Sequence, residues 1–341
     1  MRRSLHLALF VTGLLWLLAA NGVAVRAAEG IAVRFVLTTG AMNLLSNLFL
    51  LFLLLLGFTA LNWIGMRQGS VRLANALPRR ATAMEEWTRG AVIGWAALLV
   101  AVVPMAIAGA LDPQFLWRGS AWAGTLIAVA SLAFGTLANE VAFRGFLFRR
   151  LIDAIGPTAA TLVLAGLYAL LVSLQPNATG LSFLVLLLGG VLFSLAYLRT
   201  HALWLGWGMH FAWAAATVVV FGLPVGGVAS YSTIVQTDTK GPAWLTGGAY
   251  GPEGALFTAV VFCAAMAVVY RVTRDYAWSY THPVIVPGGY PMDVPPPAAH
   301  AEMEQAAAAK APVLVQIAPA PGNDSAAERP SQSEPPRHGS L

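Results

Sequence analysis

The chain has 341 residues, of which 58% are hydrophobic and only 10% are Asp, Glu, Lys or Arg. A soluble domain carries roughly 25% charged residues, so this composition cannot cover a water-soluble globule. Apolar residues come in long blocks rather than in alternation, which argues against an outer-membrane β-barrel. The net charge of +5 arises from 20 basic and 15 acidic residues. The basic ones cluster at the ends of apolar blocks, where they set orientation in a bilayer, and no basic stripe marks a nucleic-acid surface. The composition therefore predicts an all-α multi-pass membrane protein that contacts membrane lipid and no nucleic acid. The single cysteine, Cys263, permits no internal disulfide and no thiolate metal site.

A bilayer core about 30 Å thick needs roughly 20 apolar residues of helix. On that measure the chain offers about eight spans: 7–25, 41–65, 90–111, 121–138, 158–174, 181–198, 203–223 and 254–270. The first has two readings. Arg2 and Arg3 ahead of the apolar run, with Val25-Arg26-Ala27-Ala28 behind it, fit either an uncleaved first helix or a signal peptide. Arg67, Arg72, Arg79, Arg80 and Arg89 place the segment 66–89 in the cytoplasm. Arg144, Arg149 and Arg150, then Arg199, then Arg271 and Arg274 fall on the same side if every span is real. Both termini are then expected to be cytoplasmic. From Thr281 to Leu341 the chain turns Pro- and Ala-rich, with too little patterned apolar surface to fold alone, and is expected to be a disordered tail. Four regions follow: 1–30, the first helix or signal peptide; 31–84, the second span and an Arg-rich loop; 85–272, the main helical domain; and 273–341, the tail.

Polar residues inside spans are costly and usually functional. Glu140 and Arg144, in Asn139-Glu140-Val141-Ala142-Phe143-Arg144-Gly145, stand four apart and share a helix face. They read either as a carboxylate of a catalytic or metal site held by an arginine, or as an ion pair anchoring a helix at the interface. His210 sits in the apolar, tryptophan-rich run Leu203 to Ala214, where it is either a core histidine or a ligand. His201 looks interfacial, and His6, His282, His300 and His338 lie in or near the termini. The loop Trp244-Leu245-Thr246-Gly247-Gly248-Ala249-Tyr250-Gly251-Pro252-Glu253-Gly254 permits tight turns, and Glu253 is expected to cap the helix that follows. It follows no strand and lacks Lys-Ser/Thr, so it is not a phosphate-binding loop.

These residues carry a resemblance. Asn139-Glu140-x-x-x-Arg144-Gly145, then Leu151 to Gly156, then Arg199-Thr200-x-x-Leu203-Trp204, then His210-x-x-Trp213 resemble the CPBP family of intramembrane metalloproteases. That family includes the CAAX prenyl endopeptidases and bacteriocin-processing proteins, and the similarity spans roughly 85–272. The resemblance implies a CAAX-protease-like helix bundle and a site built on three motifs: Glu-Glu-x-x-x-Arg, Phe-x-x-x-His and His-x-x-x-Asn. Carried over by position, Glu140, Arg144 and His210 stand intact. Asn139 replaces the first glutamate, Val172 the second motif's histidine, and Ala214 the last polar residue. Tyr168 takes the aromatic place of the second motif.

The departure matters chemically. A catalytic zinc site needs about three protein ligands and an open water position, whereas this core offers His210 and Glu140, and Glu140 is shared with Arg144. A carboxamide at Asn139 has no useful basicity, and losing a general base costs about 10²–10⁴ in rate. Three functions remain open. One is a pseudoprotease that binds a membrane peptide or lipidated protein. The second is an active endopeptidase cleaving a prenylated or hydrophobic peptide through Glu140 and His210, with zinc as its cofactor; an inactive chain needs none. The third is a small-solute transporter, for which the second span supplies Asn43, Asn47 and Asn62. The family branch and the Ala- and Arg-rich composition point to a bacterial plasma membrane.

Overall fold

The computed structural model describes residues 2–228 and 233–274. The tail 281–341, with His282, His300 and His338, lies outside the described residues.

Long runs rich in Leu, Ala, Val and Phe give nine helices of nine residues or more among the described residues: α1 (Arg2–Phe35), α2 (Thr39–Met66), α3 (Ala83–Ile107, with Pro104 in its last turn), α4 (Gly119–Glu140), α5 (Leu147–Ile155), α6 (Pro157–Val172), α7 (Gly180–Thr200), α8 (Trp204–Val219) and α9 (Leu256–Val272). Local chemistry sets their ends. Thr38 caps α2 by accepting from the Ala41 amide, and Thr179 with Ser182 forms a reciprocal capping box on α7. Gly156, at φ +87°, turns the chain between α5 and α6, and Pro157 opens α6 where its missing N–H costs nothing.

Each of the eight apolar segments read from the sequence overlaps a helix, but 90–111 and 203–223 run past the helix ends at Ile107 and Val219. By length and composition, five helices suffice to cross a bilayer: Arg3–Phe35, Thr39–Met66, Ala83–Ile107, Gly119–Ile155 and Gly180–Thr200. α6, α8 and α9, at 16, 16 and 17 residues, reach only about 24–26 Å at 1.5 Å per residue, short of the roughly 30 Å hydrocarbon core. α1 runs unbroken through Val25 to Ala28 and on to Phe35.

The fold is not purely α. β1 (Leu111–Phe115) pairs antiparallel with β2 (Val235–Thr239), in register from Leu111 opposite Thr239 to Phe115 opposite Val235. The pairing is polar and largely exposed, so it corrects the all-α expectation without adding to the core.

In lipid, helices gain little from burying apolar surface against each other, so close packing and polar links hold them. α3 and α8 make the tightest such contact. A Cβ on Gly90 or Gly94 would land on the carbonyls of Leu205 or Met209, and one on Gly208 on the carbonyl of Trp87. These three glycines put backbone against backbone. α7 packs between α6 and α9, and α1 lies against α2 and α5. Polar ties cross the bundle. Asn47 Nδ2 donates to Ser131 O at 3.0 Å, Trp207 Nε1 to Ala133 O at 3.1 Å, and Arg199 Nε to Thr273 Oγ1 at 3.2 Å. The buried Glu86 pairs with Arg80 at 2.8 Å, and Arg80 also donates to Thr200 O.

Candidate functional site

α4 ends at Glu140, and the next turn, Val141–Phe146, is wound as a π-helix with Gly145 at φ −80°, ψ −112°. Such turns recur where a helix must re-aim its side chains. This one swings Arg144 inward beside Glu140, with its Nη1 at 3.6 Å from Glu140 Oε1, and both residues are 1% exposed. The i, i+4 pairing expected from the sequence is therefore present, and it lies in the core rather than at an exposed interface.

Arg144 is boxed by aromatic rings. Its guanidinium carbon lies 4.7 Å from the Tyr168 ring centroid, 5.2 Å from Phe193 and 5.8 Å from Phe143. Cation–π contact offsets part of the cost of burying the charge. Its Nη2 donates to Gly190 O at 3.3 Å, while Nη1 makes no hydrogen bond beyond its ion pair among the described residues.

His210 comes from α8, 70 residues away in the chain. Its Nδ1 stands 2.8 Å from the same Glu140 Oε1, and its ring stacks on Phe193 at 4.7 Å and 20°. A carboxylate oxygen facing Arg144 can only accept, so His210 Nδ1 is the donor in this contact. Gly206 makes room for the group, because a Cβ there would stand 3.3 Å from Glu140 Oε2. The structure thus joins Glu140, Arg144 and His210 in one cluster.

The three substituted positions do not extend the cluster. Asn139 is partly buried next to Glu140. Val172, the last residue of α6, packs against the apolar core. Ala214 packs with Ala128, Leu132 and Val218. Among the described residues no group of three or more His, Cys, Asp or Glu side chains forms a metal-holding set. The donors therefore do not fit a catalytic zinc, which needs about three. Of the remaining histidines, His6 meets Arg150 at 3.2 Å and Asp153 at 3.5 Å, away from this cluster. His201 follows α7 in a left-handed conformation. Burial, with the charges of Arg80 and Arg149, holds its pKa below the usual imidazole value.

Glu253 is the polar residue that sequence reasoning misassigned. It does not cap α9, whose N-cap is Ala255 and takes no side-chain bond. Instead the glycine-rich loop folds as short turns, Ala243–Thr246, Gly248–Tyr250 and Pro252–Gly254, and sends the carboxylate back toward α8. Glu253 Oε1 accepts from Trp213 Nε1, and Oε2 from the Gly226 amide, each at 3.1 Å. Burial pushes this carboxyl up in pKa, while His210 and the two hydrogen bonds pull it partly back. His210, Glu253, Tyr168 and Trp213, with Leu186, Phe193 and Phe262, line a cavity of about 10 Å³, at the lower bound of the space one water needs. The signal was faint: one acid in a glycine loop, with no periodicity to say where it points.

A far larger cavity, about 900 Å³, lies beyond the loop. Its lining includes Asn177, Pro224, Gly227, Thr233, Gln236 and Thr237. Asn47 and Asn62, candidates for a solute path, are spent on Ser131 and on Gln68 O.

Comparison with known proteins fits this arrangement. Residues 120–216 match the family described as Rce1-like, type II CAAX prenyl endopeptidase. That stretch contains Glu140, Arg144, Val172, His210 and Ala214 and agrees with the resemblance read from the motifs. No curated protein and no solved structure matches the chain.

Proposed function

We propose that this Rce1-like membrane protein is a catalytically impaired relative of the CAAX prenyl endopeptidases, one that holds a hydrophobic or lipidated peptide in its helix bundle without cutting it. In this reading it sits in a bacterial plasma membrane with both termini cytoplasmic, as the arginine clusters favour. The observation that carries the proposal is the commitment of Glu140. One oxygen, Oε1, faces both Arg144 at 3.6 Å and His210 at 2.8 Å. A carboxylate so occupied is a poor base for water, and Asn139, Val172 and Ala214 bring neither a replacement base nor a further metal donor.

The test is elemental analysis of detergent-purified protein beside a His210→Ala control, together with incubation on a prenylated peptide. Zinc at background in both proteins and an uncut peptide are expected. Near-stoichiometric zinc that falls in the control, or cleavage that a chelator stops, overturns the reading.

A second reading draws on one specific feature. A carboxylate bonded to the imidazole Nδ1 of a histidine that lines a small cavity is the arrangement by which hydrolases orient a general base. On that reading the chain is an active endopeptidase. Cleavage would persist in chelator and be lost in Glu140→Ala and His210→Ala proteins that still fold.

A further inference from the structure

The carboxylate of Glu253 fills a two-donor clasp. Trp213 Nε1 gives a proton to one oxygen and the Gly226 amide to the other. One donor belongs to α8, a turn beyond His210, and the other to the loop after that helix. Two donors on two oxygens is how proteins hold a carboxylate with defined orientation. Two further observations place the clasp on a path. On its inner side lies the small cavity shared with His210 and Tyr168. On its outer side, Gly226 sits between Pro224 and Gly227, both of which line the 900 Å³ cavity. The hydroxyl of Tyr250, a residue 1% exposed in the same loop, is buried with no hydrogen-bond partner among the described residues. The loop therefore lies between a roomy polar cavity and the closed Glu140–His210 centre; the Gly227 amide also bonds to Tyr250 O, but Glu253 makes its side-chain tie to α8.

We propose that this clasp is a binding subsite for the terminal carboxylate of a peptide, and that Glu253 is its built-in occupant, displaced when a ligand enters from the large cavity. The inference rests on the peptide-holding reading above and adds the chemistry of the ligand's end. A C-terminal carboxylate brings two oxygens and satisfies both donors as Glu253 does. A peptide ending in a carboxamide brings one, leaving either the indole or the Gly226 amide unpaired in a buried place, which is costly. No covalent bond forms or breaks in the exchange.

The experiment uses the full chain in detergent and reads its melting temperature. Glu253→Ala empties the clasp and lowers the melting point. Added sodium acetate, against sodium chloride at equal ionic strength, restores about 2–4 °C and leaves the wild type unmoved. Trp213→Phe made together with Glu253→Ala abolishes the gain. N-acetyl-trileucine with a free carboxylate stabilises Glu253→Ala at lower concentration than acetate does, and its carboxamide form does not. Should Glu253→Ala fail to fold, Glu253→Gln, which offers one acceptor oxygen, is stabilised by the acid-ended tripeptide more than the wild type is. Acetate no better than chloride, or equal shifts from acid and amide tripeptides, overturns the proposal. Neither readout depends on zinc or on cleavage, so failure of the clasp and failure of the peptide-holding reading are separate results.

Discussion

Removing one charge of the Glu140–Arg144 pair should cost more than removing both. The charges face each other at 3.6 Å with 1% exposure on either side. At an effective dielectric of about 20, Coulomb's law gives an attraction of about 4–5 kcal/mol. Breaking a buried pair by deleting one partner typically costs about 3–5 kcal/mol, because the survivor is stranded, whereas replacing both is often close to neutral. Glu140→Gln keeps an oxygen for His210 Nδ1–H but leaves Arg144 buried without an anion. Arg144→Met keeps the volume but leaves Glu140 with His210 alone. The double substitution removes both charges and loses chiefly the bond to Gly190 O, worth about 1–2 kcal/mol. A double-mutant cycle by thermal or detergent-titrated unfolding should return a coupling of about 3 kcal/mol or more, with the double variant more stable than either single one. A double variant that loses the sum of the two single losses would refute the reasoning, since the two charges would then contribute independently.

Two further outcomes follow from the same geometry. Gly94→Ala and Gly208→Ala each drive a methyl group into a main-chain carbonyl of the facing helix, and should destabilise by about 1–3 kcal/mol despite alanine's better helix propensity; an unchanged unfolding midpoint would contradict the close contact. For His201, burial first and then Arg80 and Arg149 hold the folded pKa below the usual value. Between that value and about 6.5 the unfolded chain binds more protons than the folded one, so stability rises with pH. The contribution is complete above about 6.5 and is lost as pH falls below it. Wild type should therefore lose more stability between pH 7 and pH 5 than His201→Asn, which tolerates the left-handed backbone; parallel curves would exclude this role.

Helix positions were readable because apolar blocks of 16 or more residues announce themselves, and because Glu140 and Arg144 stand four apart. What joins the site was not readable. His210 reaches Glu140 across 70 residues, and no local pattern reports how α8 is rotated against α4. The strands were missed for a related reason. Leu111-Asp112-Pro113-Gln114-Phe115 contains a proline and an acid, its partner is polar, and 124 residues separate Gln114 from Asp238. Only the β-branched Val235, Thr237 and Thr239 hinted at a strand. Pro113 is tolerated because it faces Thr237, whose N–H points the other way, to Gly222 O. Arg80, counted in the sequence as an orientation marker, turns inward to the buried Glu86. Short apolar helices were likewise indistinguishable from full spans when only composition was weighed.

The glycine seam between α3 and α8 has a mechanical meaning. Side chains that interdigitate leave slack, since rotamers can change as two helices slide. Main chain resting on main chain at Gly90, Gly94 and Gly208 leaves little of it. The close seam favours the two helices behaving as one unit, and His210 stands on it. Room for an occupant of the polar centre is then more readily found away from the seam: at the π-turn Val141–Phe146, where the helical winding is already broken, or at the loop that carries Glu253.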